Sequence, residues 1–462
     1  MSNGARRELG VETMGSIRIG AGAAWWGDRI EPAAWNAERG DLDWLVFETM
    51  AEATVSAAQV RRRRDPAFPG YDTYLDDRMA AVLPHCLAGR TRIVSNQGWI
   101  NPEGAADRIA WWCRKLGQRG VRVAAVDGGM LTDRIASLAD RVLETGAPLS
   151  ELAGSMVSAE AYLGIEPILA ALDDGARIVV TSRVADPSLF LAPMVHEFGW
   201  ALDDWARLGQ GAGIGHLLEC GAQVTGGYFA DPGYKDVPDP WNLAFPIAEV
   251  AEDGSAVIGK LAGTGGVVDR RTVKEQLFYE VHDPGAYITP DVVVDFTTTR
   301  IVEVGPDRVR VEGIGGRPRT STLKVSIGLE EGFVGEDMFF YAGPGALGRA
   351  QLAARILEER FRYVQLAADD LRIDFLGVNA IHGPASPPAA EPYEVALRVA
   401  ARTRTREEAA KVGREVDAMA VSGVAMTGKR VPHQDRVREV IGVWSALVPR
   451  DAVRPAVTIR ES

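Results

Sequence analysis

Four polar clusters in this chain follow apolar runs or share a helix face, and their side chains suit acid–base chemistry. The first is Ser95-Asn-Gln-Gly98. Asn96 and Gln97 are amides of the kind that orient a carboxylate or hold a developing oxyanion. The second is Asp127-Gly-Gly129, where Asp127 is a candidate acid or base and Gly128 and Gly129 can present backbone N–H groups to an anion. The third, Thr181-Ser-Arg183 with Asp186, supplies an arginine able to grip a carboxylate with two parallel bonds. The fourth holds His216 and Glu219, three residues apart and so on one face of a helix, with Glu219 a second candidate acid or base. Gly226 and Gly227 come next, where the backbone can approach a ligand or turn sharply. Cys220, beside them, reads as a small buried hydrophobe before it reads as a nucleophile. Plainer roles compete at every position. Asn101 before Pro102 is a helix cap, the Asn96 loop can be a simple turn, and Arg183 with Asp186 can merely brace its loop.

The elements that must position these groups are short. Ile17–Gly20, Trp44–Glu48, Arg92–Ser95, Val121–Val126 and Ala176–Val180 are apolar runs without polar alternation, separated by amphipathic stretches such as Pro102–Leu116 and Asp133–Leu143. Runs of that kind form a parallel sheet buried on both faces. The pattern predicts an α/β fold with a parallel, doubly wound (Rossmann-like) sheet over residues 16–230, ahead of a (β/α)8 barrel. Right-handed crossovers make successive parallel strands point the same way, so Asn96, Asp127, Thr181 and Arg183 are expected on one sheet edge. Residues 1–15 are expected to be a disordered tail, and residues 231–320 a β-rich segment. Within that segment a hairpin is expected around Gly305-Pro-Asp307, flanked by Val292–Phe296 and Val309–Glu312. Gly263–Gly266 is expected near the cleft as an anion nest. Residues 321–462 read as β-α-β-β-α-β, a ferredoxin-like α+β unit ending on a strand at Val440–Trp444.

Several classes of function are disfavoured. A net charge of -12 over 462 residues gives no global attraction to nucleic acid or to an anionic membrane. No apolar run approaches the ~18–20 residues of a membrane span. The three cysteines form no CxxC pair and no disulfide framework, so a cytoplasmic location is expected. Gly20-Ala-Gly22 begins a dinucleotide fingerprint, but Trp25 stands where the third glycine belongs. There is no P-loop, no GxSxG elbow, and no second histidine to complete a zinc helix after His196-Glu197. A carboxylate-bound Mg2+ stays open.

Longer segments point to a family. Gly20-Ala-Gly-Ala-Ala-Trp-Trp-Gly-Asp-Arg29, Gly40-Asp-Leu-Asp-Trp-Leu-Val-Phe-Glu48 and Ser95-Asn-Gln-Gly98 resemble the acyclic terpene utilisation AtuA-like family, a domain-of-unknown-function family. So do Ala185-Asp-Pro-Ser188, His196-Glu-Phe-Gly-Trp200, Phe245-Pro-Ile-Ala-Glu249 and Pro290-Asp-Val-Val-Val-Asp-Phe-Thr297. Gly215-His-Leu-Leu-Glu-Cys-Gly-Ala-Gln223 with Thr225-Gly-Gly227 is the strongest match, and the resemblance covers roughly residues 16–340. It implies a place in the breakdown of citronellol- and geraniol-type terpenoids through acyl-CoA intermediates, and a small accessory subunit is a partner it allows.

The expected function is an enzyme of terpenoid, branched acyl-CoA or small carboxylic acid metabolism, of lyase, hydratase or isomerase type. Adding or removing water beside a carbonyl needs a base, an acid and an oxyanion holder. Asp127, Glu219 and Asn96 are the expected catalytic residues, with Arg183 as anchor. Thr181, Gln97, Gly128, Gly129, Asp186, His216, Gly226 and Gly227 are the expected substrate contacts. No cofactor is expected beyond a CoA thioester as substrate moiety. A small molecule and a second copy of the chain are the expected partners, with no nucleic acid and no membrane. The rival reading is a non-catalytic acyl-CoA- or acid-binding subunit, and a nicotinamide-dependent oxidoreductase is the third.

Overall fold

The computed structural model describes residues 15–387, 391–425, 427–429 and 436–462. All but the last residue of the expected tail at 1–15 therefore lies outside the described residues. In chain order the strands are β1 (Ser16–Ala24), β2 (Trp44–Glu48), β3 (Arg92–Ser95), β4 (Arg122–Asp127), β5 (Met156–Ala161), β6 (Ile178–Thr181), β7 (Ile247–Ala251) and β8 (Ala256–Gly259). Next come β9 (Tyr287–Ile288), β10 (Val293–Asp295), β11 (Arg300–Gly305), β12 (Arg308–Glu312), β13 (Gly315–Arg317) and β14 (Thr322–Ala342). β15 (Ala368–Leu376), β16 (Glu394–Thr403), β17 (Thr427–Lys429), β18 (Val437–Pro449) and β19 (Ala456–Glu461) complete the set. The fold is mixed α/β with several sheets. The chain divides into two compact units, Met1–Gly328 with Val443–Ser462, and Leu329–Gly442.

The first unit is organised by one large mixed sheet in the order β11-β12-β8-β7-β1-β2-β3-β6-β4-β19. Its centre, β1-β2-β3-β6-β4, is parallel throughout. The apolar runs have the physical cause expected of them: Trp44–Glu48 and Ile178–Thr181 are buried at every position, because helices cover both faces. Phe47 lies opposite Ser95, Ser95 opposite Val180, and Val126 opposite Thr181. Glu48, Asn96, Asp127 and Arg183 consequently leave the sheet at one edge.

Two expectations need correction, the hairpin partners and the Asp133–Leu143 helix. The strands of the β-rich segment expected over residues 231–320 largely extend the large sheet. β7 pairs antiparallel with β1, and β8, β12 and β11 extend the same sheet, so β1 is not left as an open edge. The hairpin joins β11 to β12, whereas Val293–Asp295 belongs to a three-stranded sheet, β13-β10-β9. The strand Arg300–Gly305 is mostly exposed, so burial leaves little apolar signature on it. The stretch Asp133–Leu143 forms a helix only at Ile135–Leu138, because the backbone turns extended at Ala139. β5 and β19 have no counterpart in the sequence reading, and β19 covers β4 on the far side of the sheet.

In the second unit the sheet order is β15-β16-β14-β17, with β16 antiparallel to both β14 and β15. The helices Ala346–Tyr363 and Arg406–Ser422 pack Leu357, Phe361, Val412 and Val416 against Val395, Leu397 and Val399. The expected last strand at Val440–Trp444 falls within β18, which pairs with β14. β17 is the fourth strand of the sheet.

Two helices of the first unit carry candidate residues, Asp186 on one and His216 with Glu219 on the other. Asp186–Phe198 starts with Pro187 in its first turn and ends on Gly199 at φ +62, a left-handed cap. Trp205–Glu219 is threaded with glycines at 209, 211, 213 and 215. A side-chain carbon at Gly215 would lie 2.6 Å from the Pro187 carbonyl oxygen, so glycine is what lets the two helices approach. Among the described residues no helix is long and apolar enough to cross a membrane.

Candidate functional site

A cavity of about 290 Å³ opens in the first unit, beyond the shared strand edge. Arg183, Asp186 and Glu219 line it together with Glu52, Tyr162, Glu280, Tyr287 and Lys324. That volume is at the lower edge of the ~300–1,000 Å³ usual for small-molecule sites.

Arg183 is the hub. It is buried in the turn after β6, where its backbone N–H donates to Glu160 Oε1 at 3.2 Å and its guanidinium donates to the Met50 carbonyl. Nη1 lies 3.2 Å from Asp186 Oδ1 and 3.9 Å from Glu48 Oε1, and the guanidinium stacks 4.3 Å from the Tyr162 ring centre. Burial works against this charge, but Asp186, Tyr162 and Glu48 outweigh it and hold the proton more firmly than usual. Burial pushes the Asp186 carboxyl up to about 6, against the pull of Arg183.

Glu219 sits at the last turn of the glycine-threaded helix. Burial, and then the neighbouring carboxylates of Asp186 and Glu280, push its carboxyl well above the ordinary range. Oε1 meets His216 Nδ1 at 2.6 Å, and Oε2 is buried with no partner among the described residues. Burial lowers His216 to about 4, so the imidazole is neutral at pH 7. Its ring lies tilted against Tyr287 and Phe296, with ring centres 5.1 and 5.8 Å away. A neutral His216 donating from Nδ1–H to Oε1 leaves a protonated Oε2 free to donate to a ligand. Tyr162 Oη is likewise buried without a partner. Lys324 is exposed, with its ammonium 5.1 Å from the same Tyr162 ring.

The other sequence-derived candidates are placed elsewhere. Asn96 is fully enclosed: Nδ2 donates to Glu48 Oε1 at 2.8 Å, and Oδ1 accepts from Thr49 N at 2.7 Å and Thr49 Oγ1 at 3.1 Å. Its link to the cavity runs through Glu48 and then Arg183, so it positions rather than touches. Gln97 donates to Asp72 and accepts from Ser95, and Asp72 pairs with the buried Arg78. Thr181 is buried and donates to the Ser182 carbonyl at 2.7 Å. Asp127 accepts from Gly128 N at 2.7 Å and does not line the cavity. Gly128, at φ +104, faces the Arg454 carbonyl oxygen, which a side-chain carbon would approach to 2.4 Å. Gly129 accepts from Ala161 N at 2.9 Å beside Glu160. Gly226 turns at φ +107 against Val237, and Gly227 borders a separate small cavity of about 80 Å³. In the Gly263–Gly266 loop, Gly265 N–H donates to Asn242 and Gly266 N–H to Pro238, so these two amides do not offer an anion nest. Cys220 is half-buried, and burial with Glu219 beside it pushes its thiol far up, away from nucleophilic use.

Five titratable lining residues are not among the candidates the sequence offers: Glu52, Tyr162, Glu280, Tyr287 and Lys324. Glu52, four residues beyond Glu48, had a signal in the shared-edge argument. Tyr162 and Lys324 meet because β5 pairs with β14, with Tyr162 N–H donating to the Lys324 carbonyl at 2.9 Å. Among the described residues no group of three or more His, Cys, Asp or Glu is placed to hold a metal ion.

The sequence model of the acyclic terpene utilisation AtuA family matches residues 17–459. The chain belongs to this family. The AtuA match continues past residue 340, through the second unit and back into β19. No curated protein matches the sequence.

Proposed function

We propose that this AtuA-family chain is an acid–base enzyme of lyase, hydratase or isomerase type, acting on a terpenoid or branched acyl thioester or a small carboxylic acid. The observation that carries the reading is the Glu219 carboxyl, held neutral by burial and anchored on His216, with one oxygen unpartnered at the cavity wall. In a dehydration, the Asp186 carboxylate takes the proton from the carbon beside the carbonyl. The freed electron pair forms the double bond and expels the hydroxyl, and the Glu219 proton converts it to water. Tyr162 Oη and Lys324 hold the carbonyl or carboxylate as charge develops, and Arg183 keeps Asp186 in place. Asn96 acts indirectly, through Glu48 and Arg183. The chain needs no redox cofactor for such a step.

The finer architecture fits the same reading. The parallel strand order around β1, β2, β3, β6 and β4 supports a Rossmann-like description, and the strand order of the second unit supports a ferredoxin-like one. We read the protein as cytoplasmic, in line with free Cys86, Cys113 and Cys220, and as self-associating.

The test is a panel of branched and terpenoid acyl thioesters and free acids, with water addition or loss and exchange of the adjacent C–H in D2O as readouts. Glu219→Gln keeps the volume and the contact to His216, and its rate is expected to fall by ~10²–10⁴. A panel without turnover or exchange, or a Glu219→Gln variant as fast as the parent, refutes the assignment. Ligand binding with no exchange in any partner-free or partner-containing preparation favours the non-catalytic binding subunit instead.

A further inference from the structure

A second concave surface adjoins the cavity: an open groove of about 650 Å³ that shares Thr320 and Thr322 with it. Arg319, Ser321, Arg450 and Asp451 make up the rest of its polar wall. Arg450 lies in the turn Arg450–Ala452 between β18 and β19. Its backbone N–H donates to the Ser321 carbonyl at 3.0 Å. Its guanidinium donates to the Thr320 carbonyl from Nε at 3.4 Å and from Nη2 at 3.3 Å, and to the Pro290 carbonyl from Nη2. Those bonds fix the group's position without neutralising it. Arg450 makes no ion pair among the described residues, and its Nη1 makes no hydrogen bond.

Arg319, which also lines the groove, pairs with Glu166. Burial, and then the positive charge of Arg319, hold the Arg450 guanidinium below its ordinary value, with Glu166 and Asp291 opposing that only in part. Two cations therefore line the groove, one of them directly paired with a carboxylate. Asp451, the acid of this wall, pairs with neither among the described residues. The unbonded Nη1 of Arg450, the guanidinium of Arg319 and the Ser321 hydroxyl are donors that suit a tetrahedral oxyanion, and an anion held by both arginines would relieve their repulsion.

We propose that this groove binds a phosphate-type oxyanion, gripped by Arg450 and Arg319 with Ser321 beside them. The anion has two sources: the phosphate-bearing handle of a substrate whose reacting end lies in the cavity, or a separate effector. The first source rests on the acid–base reading of the cavity, while the binding site itself does not. The experiment is calorimetric titration of the full chain with inorganic pyrophosphate at fixed ionic strength, with sodium chloride as the matched control. Pyrophosphate is expected to bind, and Arg319→Gln and Ser321→Glu are each expected to weaken it at least tenfold. Arg450→Gln removes the central cation, and because it also unties Pro290 from Thr320, the other two variants carry the test if it fails to fold. The absence of heat beyond the chloride control, or binding untouched by Arg319→Gln and Ser321→Glu, overturns the site. The sources separate by competition. Pyrophosphate displaced by a phosphate-bearing acyl thioester, but not by the same acyl group without the handle, identifies the handle. Pyrophosphate bound equally with and without saturating thioester identifies an effector. None of these readouts needs turnover, so a failure of the Glu219 chemistry and a failure of this site look different.

Discussion

Replacing Glu160 by glutamine removes a titration while keeping a hydrogen bond. Glu160 is buried at the end of β5, and burial pushes its carboxyl from 4.5 up to about 7, with the nearby Asp127 charge adding to the effect. Oε1 accepts from Arg183 N at 3.2 Å, while Oε2 has no partner and Ser182 Oγ is also unpartnered. Glutamine keeps the first contact and offers an N–H₂ group where Oε2 stood. The folded-state value is raised, so the folded protein binds this proton more tightly than the unfolded chain does. The stabilisation is full below the unfolded value of 4.5 and is lost as pH rises through about 7. Ionising a carboxyl that titrates near 7 in place of 4.5 costs about 3 kcal/mol. Thermal melts of the parent and of Glu160→Gln should therefore diverge with pH. The variant is expected to gain on the parent between pH 5 and pH 8.5, by roughly 5 °C in Tm at the alkaline end. A gap that is the same at both pH values, or a variant that melts lower at pH 8.5, refutes the argument that burial holds Glu160 neutral.

Arg183→Met strands Asp186 and the Met50 carbonyl in a buried site, and is expected to cost about 3–5 kcal/mol at pH 8, with a smaller loss at pH 5 where Asp186 is protonated. Chemical denaturation at the two pH values measures it. Gly128→Ala places a side-chain carbon against the Arg454 carbonyl at φ +104, so a loss of about 1–3 kcal/mol is expected without any effect on ligand affinity. Cys220→Ser is expected to leave turnover unchanged, and mapped alkylation at pH 7.5 should label Cys220, Cys86 and Cys113 slowly, because burial raises all three thiols.

The parts of the fold legible in the sequence are those written in local periodicity. Trp44–Glu48, Arg92–Ser95 and the Asn101–Pro102 cap, whose Asn101 accepts from Gly104 N at 3.1 Å, stand where the residues put them. The shared strand edge is a consequence of chain topology and needs no side-chain detail. What sequence cannot convey is where an amide finds its partners. Asn96 and Gln97 look free to bind a ligand, yet Glu48, Thr49 and Asp72 arrive from other loops and occupy them. His216 and Glu219 were readable together because helix geometry fixes their contact. Glu280 was not: it stands at φ +58 in an irregular stretch, and no spacing announces that it will face Glu219. Tyr162 and Lys324 are far apart in the chain and meet only through strand pairing.

The central claim is that Glu219 is a neutral acid at the cavity wall, and the infrared carbonyl stretch of protonated carboxyl groups reads that state directly. At pH 7 the spectrum of the parent minus that of Glu219→Gln should contain a protonated-carboxyl band, and filling the cavity with an acyl ligand should shift it as Oε2 gains a partner. A difference spectrum showing only carboxylate at pH 7 contradicts the account.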